Sequence, residues 1–239
     1  MPAKVFFYYS AMNAGKSSTL LQANYNYNER DLRTLLFIPK LIGKDQIVSR
    51  IGLAAKAIQF EPDFDFFDYV KTFIEASPAE ESGAQGKLGC VLVDEAQFMN
   101  QRQVISLTRV ADELQIPVLC YGLRSDFLGE PFEGSKYLLT LADELREIKT
   151  ICSCGRKASM NQRIREDGRP VARGEQVEVG GNDRYVGKCR KHFYEGLGEA
   201  SLDEPEESKK RRVSDGTPPK KDANNANMDA LLGSSPTQA

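Results

Sequence analysis

Three groups of residues in this chain have the types and spacing to do chemistry. The first is Ser10-x-x-x-x-Gly15-Lys16-Ser17, within "YYSAMNAGKSS", which follows the phosphate-cradling pattern G-x-x-x-x-G-K-[ST] except at its first glycine. In such a loop a strand feeds a tight turn into a helix, and backbone N–H groups of the turn and of the helix start converge on a phosphate, with the helix dipole in support. Lys16 would reach the β- and γ-phosphates, Ser17 would ligate Mg²⁺, and Gly15 would let the backbone approach closely. The first glycine serves mainly to permit the turn, and serine can replace it provided its φ stays negative.

The second group is Asp94-Glu95 at the end of "CVLVDEAQF". Apolar β-formers followed by an acid at the strand's C-terminal end make a Walker B element, which holds the hydration shell of Mg²⁺ beside the phosphate loop. Glu95 comes next, where a carboxylate can polarise water, giving an ATPase, or a substrate hydroxyl, giving a kinase. Either motif alone has a plain reading, a helix start or a surface acid at a strand end. Together they imply binding of a nucleoside triphosphate, with ATP and Mg²⁺.

The third group is "C-S-C" at Cys152 and Cys154 with "C-R-K-H" at Cys189 and His192, the only histidine in the chain. Four N/S donors in two knuckles suit a tetrahedral structural Zn²⁺ with no open position for catalysis, the alternative being free thiols. A small β segment poor in core residues needs such a staple. Cys90 and Cys120 lie inside apolar runs and read as small buried hydrophobes.

These residues must be positioned by the elements between them. "KVFFYY" (4–9), "TLLFIP" (34–39), "CVLVDE" (90–95) and "IPVLCYG" (116–122) are short and apolar, as buried parallel strands are. Between them, "GKSSTLLQANYNYNERD", "FDFFDYVKTFIEA" and "QRQVISLTRVADELQ" carry apolar residues at helical spacing; in the last, Val104, Leu107, Val110, Ala111 and Leu114 share one face. Alternation of this kind predicts an α/β fold with a P-loop-type parallel sheet flanked by helices. "SPAEESGAQGKLG" (77–89) reads as a surface connection, and "RSDFLGEPFEGSKYLL" (124–139), aperiodic after a strand end, as a ligand loop. A helix-like "LLTLADELREIK" follows.

At "TICSCGRK" the pattern changes to short β pieces around turns, which predicts an ATP-binding domain over 1–149 and a small zinc-binding domain over 150–198. Residues 199–239 contain no aromatic and are rich in Pro, Ser, Asn and charge, so a disordered tail is expected there. Its "SKKRR" (208–212) reads as a solvated charge run or a polyanion-binding patch.

The tail carries six Lys/Arg and eight Asp/Glu, leaving 26 of each sign in residues 1–198. A neutral body argues against duplex nucleic acid as a stable partner, because that binding neutralises phosphates with a basic surface. No apolar run approaches the ~18 to 20 residues of a membrane span, and "MPAKVFFYYS" lacks signal-peptide features, so a cytoplasmic protein without a membrane partner is expected.

Phosphate loop, "VDEAQF", "CYGLRSDFLGEPFEGSKYLL" and a late cysteine–histidine module containing "VEVGGNDRY" arrive in the order seen in thymidine kinases of the type II, zinc-containing family. Over about residues 4–197 the chain closely resembles the bacterial members. The resemblance implies an ATP:thymidine 5′-phosphotransferase, acting on thymidine and deoxyuridine, with a P-loop α/β domain, a zinc-bearing lasso domain, a homotetrameric assembly and feedback inhibition by the triphosphate product. It implies Glu95 as the general base, Tyr9, Ser10, Ala11, Met12, Asn13, Ala14, Gly15, Lys16 and Ser17 as the phosphate loop, and Asp94, Glu95, Ala96 and Gln97 as the Mg²⁺/ATP segment. Cys152, Cys154, Cys189 and His192 match the zinc ligands. Phe127 matches the aromatic that stacks on the base, Gln176, Val177, Glu178, Val179 and Gly180 the lasso whose backbone reads thymine, and Tyr185 the tyrosine near sugar and lasso.

One stretch departs from the family. After the second strand its members carry an Asp-Arg pair near Mg²⁺ and the phosphates; here "FIPKLIGKDQIVSRIGL" is shortened. Asp45 is the candidate counterpart of the acid, Gln46 stands where arginine is expected, and Lys44 and Arg50 are the candidate replacements. Two other readings stay open: a nucleic-acid-stimulated ATPase, because "DEAQ" resembles a helicase box, and a catalytically inactive zinc-stabilised binding module.

Overall fold

The structure, a computed structural model, describes residues 2–76, 87–176 and 184–202. Residues 77–86 of the connection expected over 77–89, Val177 to Gly180 of the expected lasso, and residues 203–239 of the tail expected over 199–239 lie outside the described residues.

Six strands form one parallel sheet in the order β5-β2-β6-β7-β1-β8. They are β1 (Val5–Ser10), β2 (Arg33–Pro39), β5 (Ile58–Phe60), β6 (Leu88–Val93), β7 (Val118–Leu123) and β8 (Glu144–Glu147); β3 (Gln46–Val48) and β4 (Ala54–Lys56) form a separate hairpin. The four continuous apolar runs supply the four inner strands, and β7 is buried at every position. Such strands tolerate no alternation because helices cover both faces.

On one face, α2 (Phe66–Glu75), α3 (Gln101–Leu114) and α4 (Glu133–Leu141) enclose a cluster running from Val5 and Phe7 through Phe37, Phe66 and Leu107 to Leu138. On the other, α1 (Lys16–Asn28) buries Leu20 and Leu21 against Leu36, Leu92 and Tyr121. Helix α3 begins at an Asn100–Gln103 capping box and buries Val104, Leu107, Val110 and Ala111, the face its spacing predicts. Helix α2 starts where the Asp65 carboxylate accepts the Phe67 and Asp68 N–H groups.

The helix-like run "LLTLADELREIK" divides. Helix α4 stops at Leu141, the Asp143 carboxylate accepts the Val5 N–H at 2.8 Å, and Glu144–Glu147 pair with β1 as an edge strand. Unsatisfied backbone groups along β1 outweigh the local helical spacing. The new edge is charged, with Lys4–Glu144 and Lys157–Glu147 ion pairs, which blunts further strand addition.

Beyond residue 149 come two short antiparallel pairs, β9 (Thr150–Ile151) with β10 (Lys157–Ala158) and β11 (Met160–Arg163) with β12 (Tyr185–Lys188). These are the expected β pieces. Helix α5 (Arg190–Leu202) then follows, without a counterpart in the sequence reading, and takes in the first four residues of the expected tail. Among the described residues no helix is long and apolar enough to cross a membrane.

Candidate active site

Strand β1 delivers the phosphate loop to the C-terminal edge of the sheet. Ser10 is its last residue, paired with Leu123 of β7, and so keeps extended backbone with no need of glycine. Left-handed backbone falls later, at Asn13 (φ 64°) and Gly15 (φ 85°), and turns the chain into α1. The buried Ser10 hydroxyl donates to the Ala11 carbonyl at 2.7 Å and accepts from the Lys16 ammonium at 3.2 Å. Burial pulls the Lys16 pKa below the usual lysine range, against the opposing pull of Glu95 and then Asp94. Tyr9, half-buried, packs on Phe7 and lies beneath the Arg124 guanidinium, 6.0 Å away.

Asp94 follows the last residue of β6, two strands from β1. The Ser17 hydroxyl donates to its carboxylate at 2.8 Å, joining the two nucleotide-binding motifs directly. Burial, and next the neighbouring Glu95 carboxylate, push Asp94 up to about 7, against the Ser17 hydroxyl, the Glu95 N–H and Lys16. A hydroxyl and a buried carboxylate that is costly to charge fit a hard divalent cation of the Mg²⁺ type, whose charge would favour the ionised form.

Glu95 adopts left-handed backbone (φ 49°, ψ 39°), a conformation that costs a non-glycine residue on the order of 1–3 kcal/mol. The surroundings enforce it. The Gln97 amide donates to Glu95 Oε2 at 2.6 Å, while its own oxygen accepts the Leu123 N–H at 3.0 Å. Gln97 is buried, and Ala96 is completely so. Gln97 therefore faces inward and acts by holding Glu95. Two glycines permit this packing: a Cβ on Gly122 would stand 2.8 Å from Gln97 Oε1, and one on Gly134 would stand 2.5 Å from the Ala96 carbonyl.

The loop and Glu95 open onto one cleft of about 290 Å³. Met12, Asn13 and Gly15 to Ser18 line it together with Val48 to Ile51, Glu95 and Leu123. Lys44 and Asp45 are exposed and are not among the lining residues; their carbonyls accept from Gln59 and from the Ala57 N–H. Of the candidates for the family's Asp-Arg position, Arg50 alone reaches the cleft.

Of the expected nucleoside residues, Phe127, Gln176 and Tyr185 lie among the described residues. The Asp126 carboxylate accepts from the N–H groups of Leu128 and Glu130 and from the Gln176 amide, the last at 3.0 Å, which brings the described end of the expected lasso onto the loop after β7. Phe127 is 1% exposed, with the Arg163 guanidinium 5.3 Å from its ring centre, so that it contributes buried packing to the loop after β7. Tyr185, half-buried, opens β12, and its carbonyl accepts from the Asn13 amide at 3.5 Å.

Asn161 on β11 was not singled out by sequence. Its carboxamide accepts the Met12 N–H at 2.7 Å and donates to the Ser125 carbonyl at 2.8 Å, tying the phosphate loop to the loop after β7. A contact spanning 149 residues leaves no periodic signal. Gly122 and Gly134 likewise looked like ordinary glycines.

Cys152, Cys154, Cys189 and His192 bring their ligand atoms within 4.8 Å of one another. Cys154 and Cys189 sulfurs are 3.8 Å apart, and Cys152 Sγ is 3.3 Å from His192 Nδ1. A tetrahedron with Zn–S bonds of about 2.3 Å has an edge of ~3.8 Å, the Cys154–Cys189 separation, so the donor set fits zinc. Burial disfavours the Cys152 thiolate, yet the N–H groups of Cys154 and Cys189 and then His192 outweigh it and hold the thiol down near 5, the form a metal takes. Cys152 and Cys189 also pack on Ala158 and on Ala11 of the phosphate loop.

A family profile described as "Thymidine kinase" matches residues 3–193. A thymidine kinase of Coxiella burnetii is 55% identical over 194 residues, covering 80% of this chain and 95% of that protein. Those of Zymomonas mobilis and Vibrio cholerae are 52% and 53% identical, each covering 82% of this chain and 98% and 99% of their own lengths. With the phosphate loop, the Asp94–Glu95 pair and the Cys₃His cluster arranged as above, the chain belongs to the thymidine kinase family.

Proposed function

We propose that this protein transfers the γ-phosphoryl group of ATP to the 5′-hydroxyl of thymidine, and also of deoxyuridine. The observation that carries the reading is convergence: Lys16, Ser17 and Glu95 line a single cleft, and the Ser17 hydroxyl donates to the buried Asp94 carboxylate. Ser17 and Asp94 would hold Mg²⁺, which when bound would supply charge neutralisation to the triphosphate. Lys16 balances charge on the phosphoryl group in flight. Glu95, fixed by Gln97, takes the proton of the 5′-hydroxyl as its oxygen bonds to the γ-phosphorus and the bond to the bridging β–γ oxygen breaks, leaving ADP. Most of the acceleration comes from positioning and electrostatics.

Asp126 holds Gln176, from which Val177 to Gly180 would read the thymine edge through their backbone, with Phe127 as the aromatic for the base and Tyr185 as the tyrosine near the sugar and lasso. Residues 150–198 act as the nucleoside-binding domain, organised by structural zinc on Cys152, Cys154, Cys189 and His192. The enzyme works in the cytoplasm as a homotetramer, without a stable nucleic-acid partner.

The test is an ADP-release assay with Mg-ATP against each nucleoside in turn, on a zinc-loaded sample. Release dependent on thymidine, with thymidine monophosphate as product, is expected. Release indifferent to every nucleoside but raised by single-stranded nucleic acid would replace the kinase with an ATPase.

A further inference from the structure

Besides the phosphate loop, the cleft is lined by Val48 to Ile51 of the β3–β4 hairpin, and the hairpin is held both by packing and by its turn. Ile47 of β3 is 1% exposed and packs with Leu20 and Leu21 of α1, which seats the hairpin beside the helix that carries Lys16 and Ser17. Buried Ser49 closes the turn: its N–H donates to the Leu53 carbonyl at 2.8 Å, its hydroxyl accepts the Leu53 N–H at 3.0 Å, and its carbonyl accepts the Gly52 N–H at 3.1 Å. Gly52 supplies the left-handed residue such a turn needs (φ 86°). Arg50 and Ile51 are thereby left at the two central positions, at the mouth of the cleft.

Charge makes this placement informative. Lys16 and Arg50 are the two cations lining the cleft, among the described residues, and Lys16 is buried while Arg50 is exposed. Among the described residues Arg50 has no ion-pair partner to satisfy its guanidinium. A triphosphate even with one divalent cation keeps about two negative charges, and a guanidinium presents donors in a fork that matches phosphate oxygens bidentately.

We propose that Arg50, carried by the Ser49–Leu53 turn into the cleft that Lys16 also lines, is the second phosphate-binding cation of the nucleotide cleft. It does the work for which the shortened "KLIGKDQ" segment has no residue in the cleft. The inference rests on the ATP-dependent reading above.

Calorimetric titration with Mg-ATP, Mg-ADP and AMP would test it on wild type, R50Q, R50K and K44Q, each checked by thermal unfolding. The exposed turn position leaves the melting temperature of R50Q unchanged. R50Q is expected to weaken ATP ~10- to 100-fold, the loss of a charge-assisted contact, and AMP by far less, with R50K recovering part of the loss. In turnover, KM for ATP rises while KM for the nucleoside holds. K44Q behaves as wild type. An R50Q variant that binds ATP as wild type does, or a K44Q variant that loses as much, would overturn the assignment. The two readings fail separately: wild type that binds Mg-ATP in an Arg50-dependent way yet forms no thymidine monophosphate would sink the kinase substrate and leave Arg50 standing.

Discussion

Around Glu95 the sheet and its helices bury an unbroken apolar cluster from Val5 to Leu138, whereas, among the described residues of 150–189, Cys152, Ala158 and Cys189 form a small cluster completed by Ala11 of the phosphate loop. The first region places its functional groups by packing: Glu95 keeps a strained backbone because Gln97, Gly122 and Gly134 leave it no alternative. The second has too little core to place anything and relies on four convergent ligands and one buried carboxamide. Because Cys152 and Cys189 touch Ala11, the region held by ligands also buttresses the one held by packing.

The largest effect should come from removing what replaces a core. Stripping zinc with a chelator, or Cys154→Ser, should unfold residues 150–188 locally and abolish thymidine phosphorylation, while the sheet keeps its own cooperative transition. Metal content, thermal unfolding and product formation on the same samples read this out. Full activity at below about a tenth of an equivalent of bound metal would show that the segment holds its shape unaided, and the contrast between the two regions would collapse.

On the packed side the sharpest probe is Glu95→Gln, which keeps shape and hydrogen-bonding reach but removes the base. Turnover should fall by ~10² or more with ATP affinity retained. Near wild-type turnover would mean that the strained carboxylate is structural.

The same division governs what could be read from sequence. The four inner strands, α3 with its buried face, the loop-to-acid pairing and the cysteine–histidine set were legible because each is written in local spacing. Strand β8 was hidden inside a helix-like run, since its cause is the open edge of β1 more than a hundred residues away. The hairpin carrying Arg50 and the Asn161 bridge were invisible for the same reason: their meaning lies in what folds against them.

Asn161→Leu tests the joint between the regions at nearly constant volume. It strands the Met12 N–H and the Ser125 carbonyl, at a cost of about 1–3 kcal/mol for each group that stays buried. Thermal unfolding should show that loss, with ATP affinity reduced ~10-fold because the loop is no longer held from behind. A variant as stable as wild type with unchanged ATP affinity would make the two regions independent.

The smallest effect belongs to Ser10→Gly, which restores the glycine of the general pattern. Ser10 has extended backbone as the last residue of β1, so glycine relieves no strain there. It adds backbone freedom to the unfolded chain and removes the hydroxyl that accepts from Lys16 at 3.2 Å. Stability should fall by about 0.5–1 kcal/mol and KM for ATP should change by less than ~3-fold, slightly for the worse. A clear gain in ATP affinity would mean that serine compromises this loop. The expected small loss would mean that β1 already does what the first glycine does elsewhere, and that the left-handed turn has been handed on to Asn13 and Gly15.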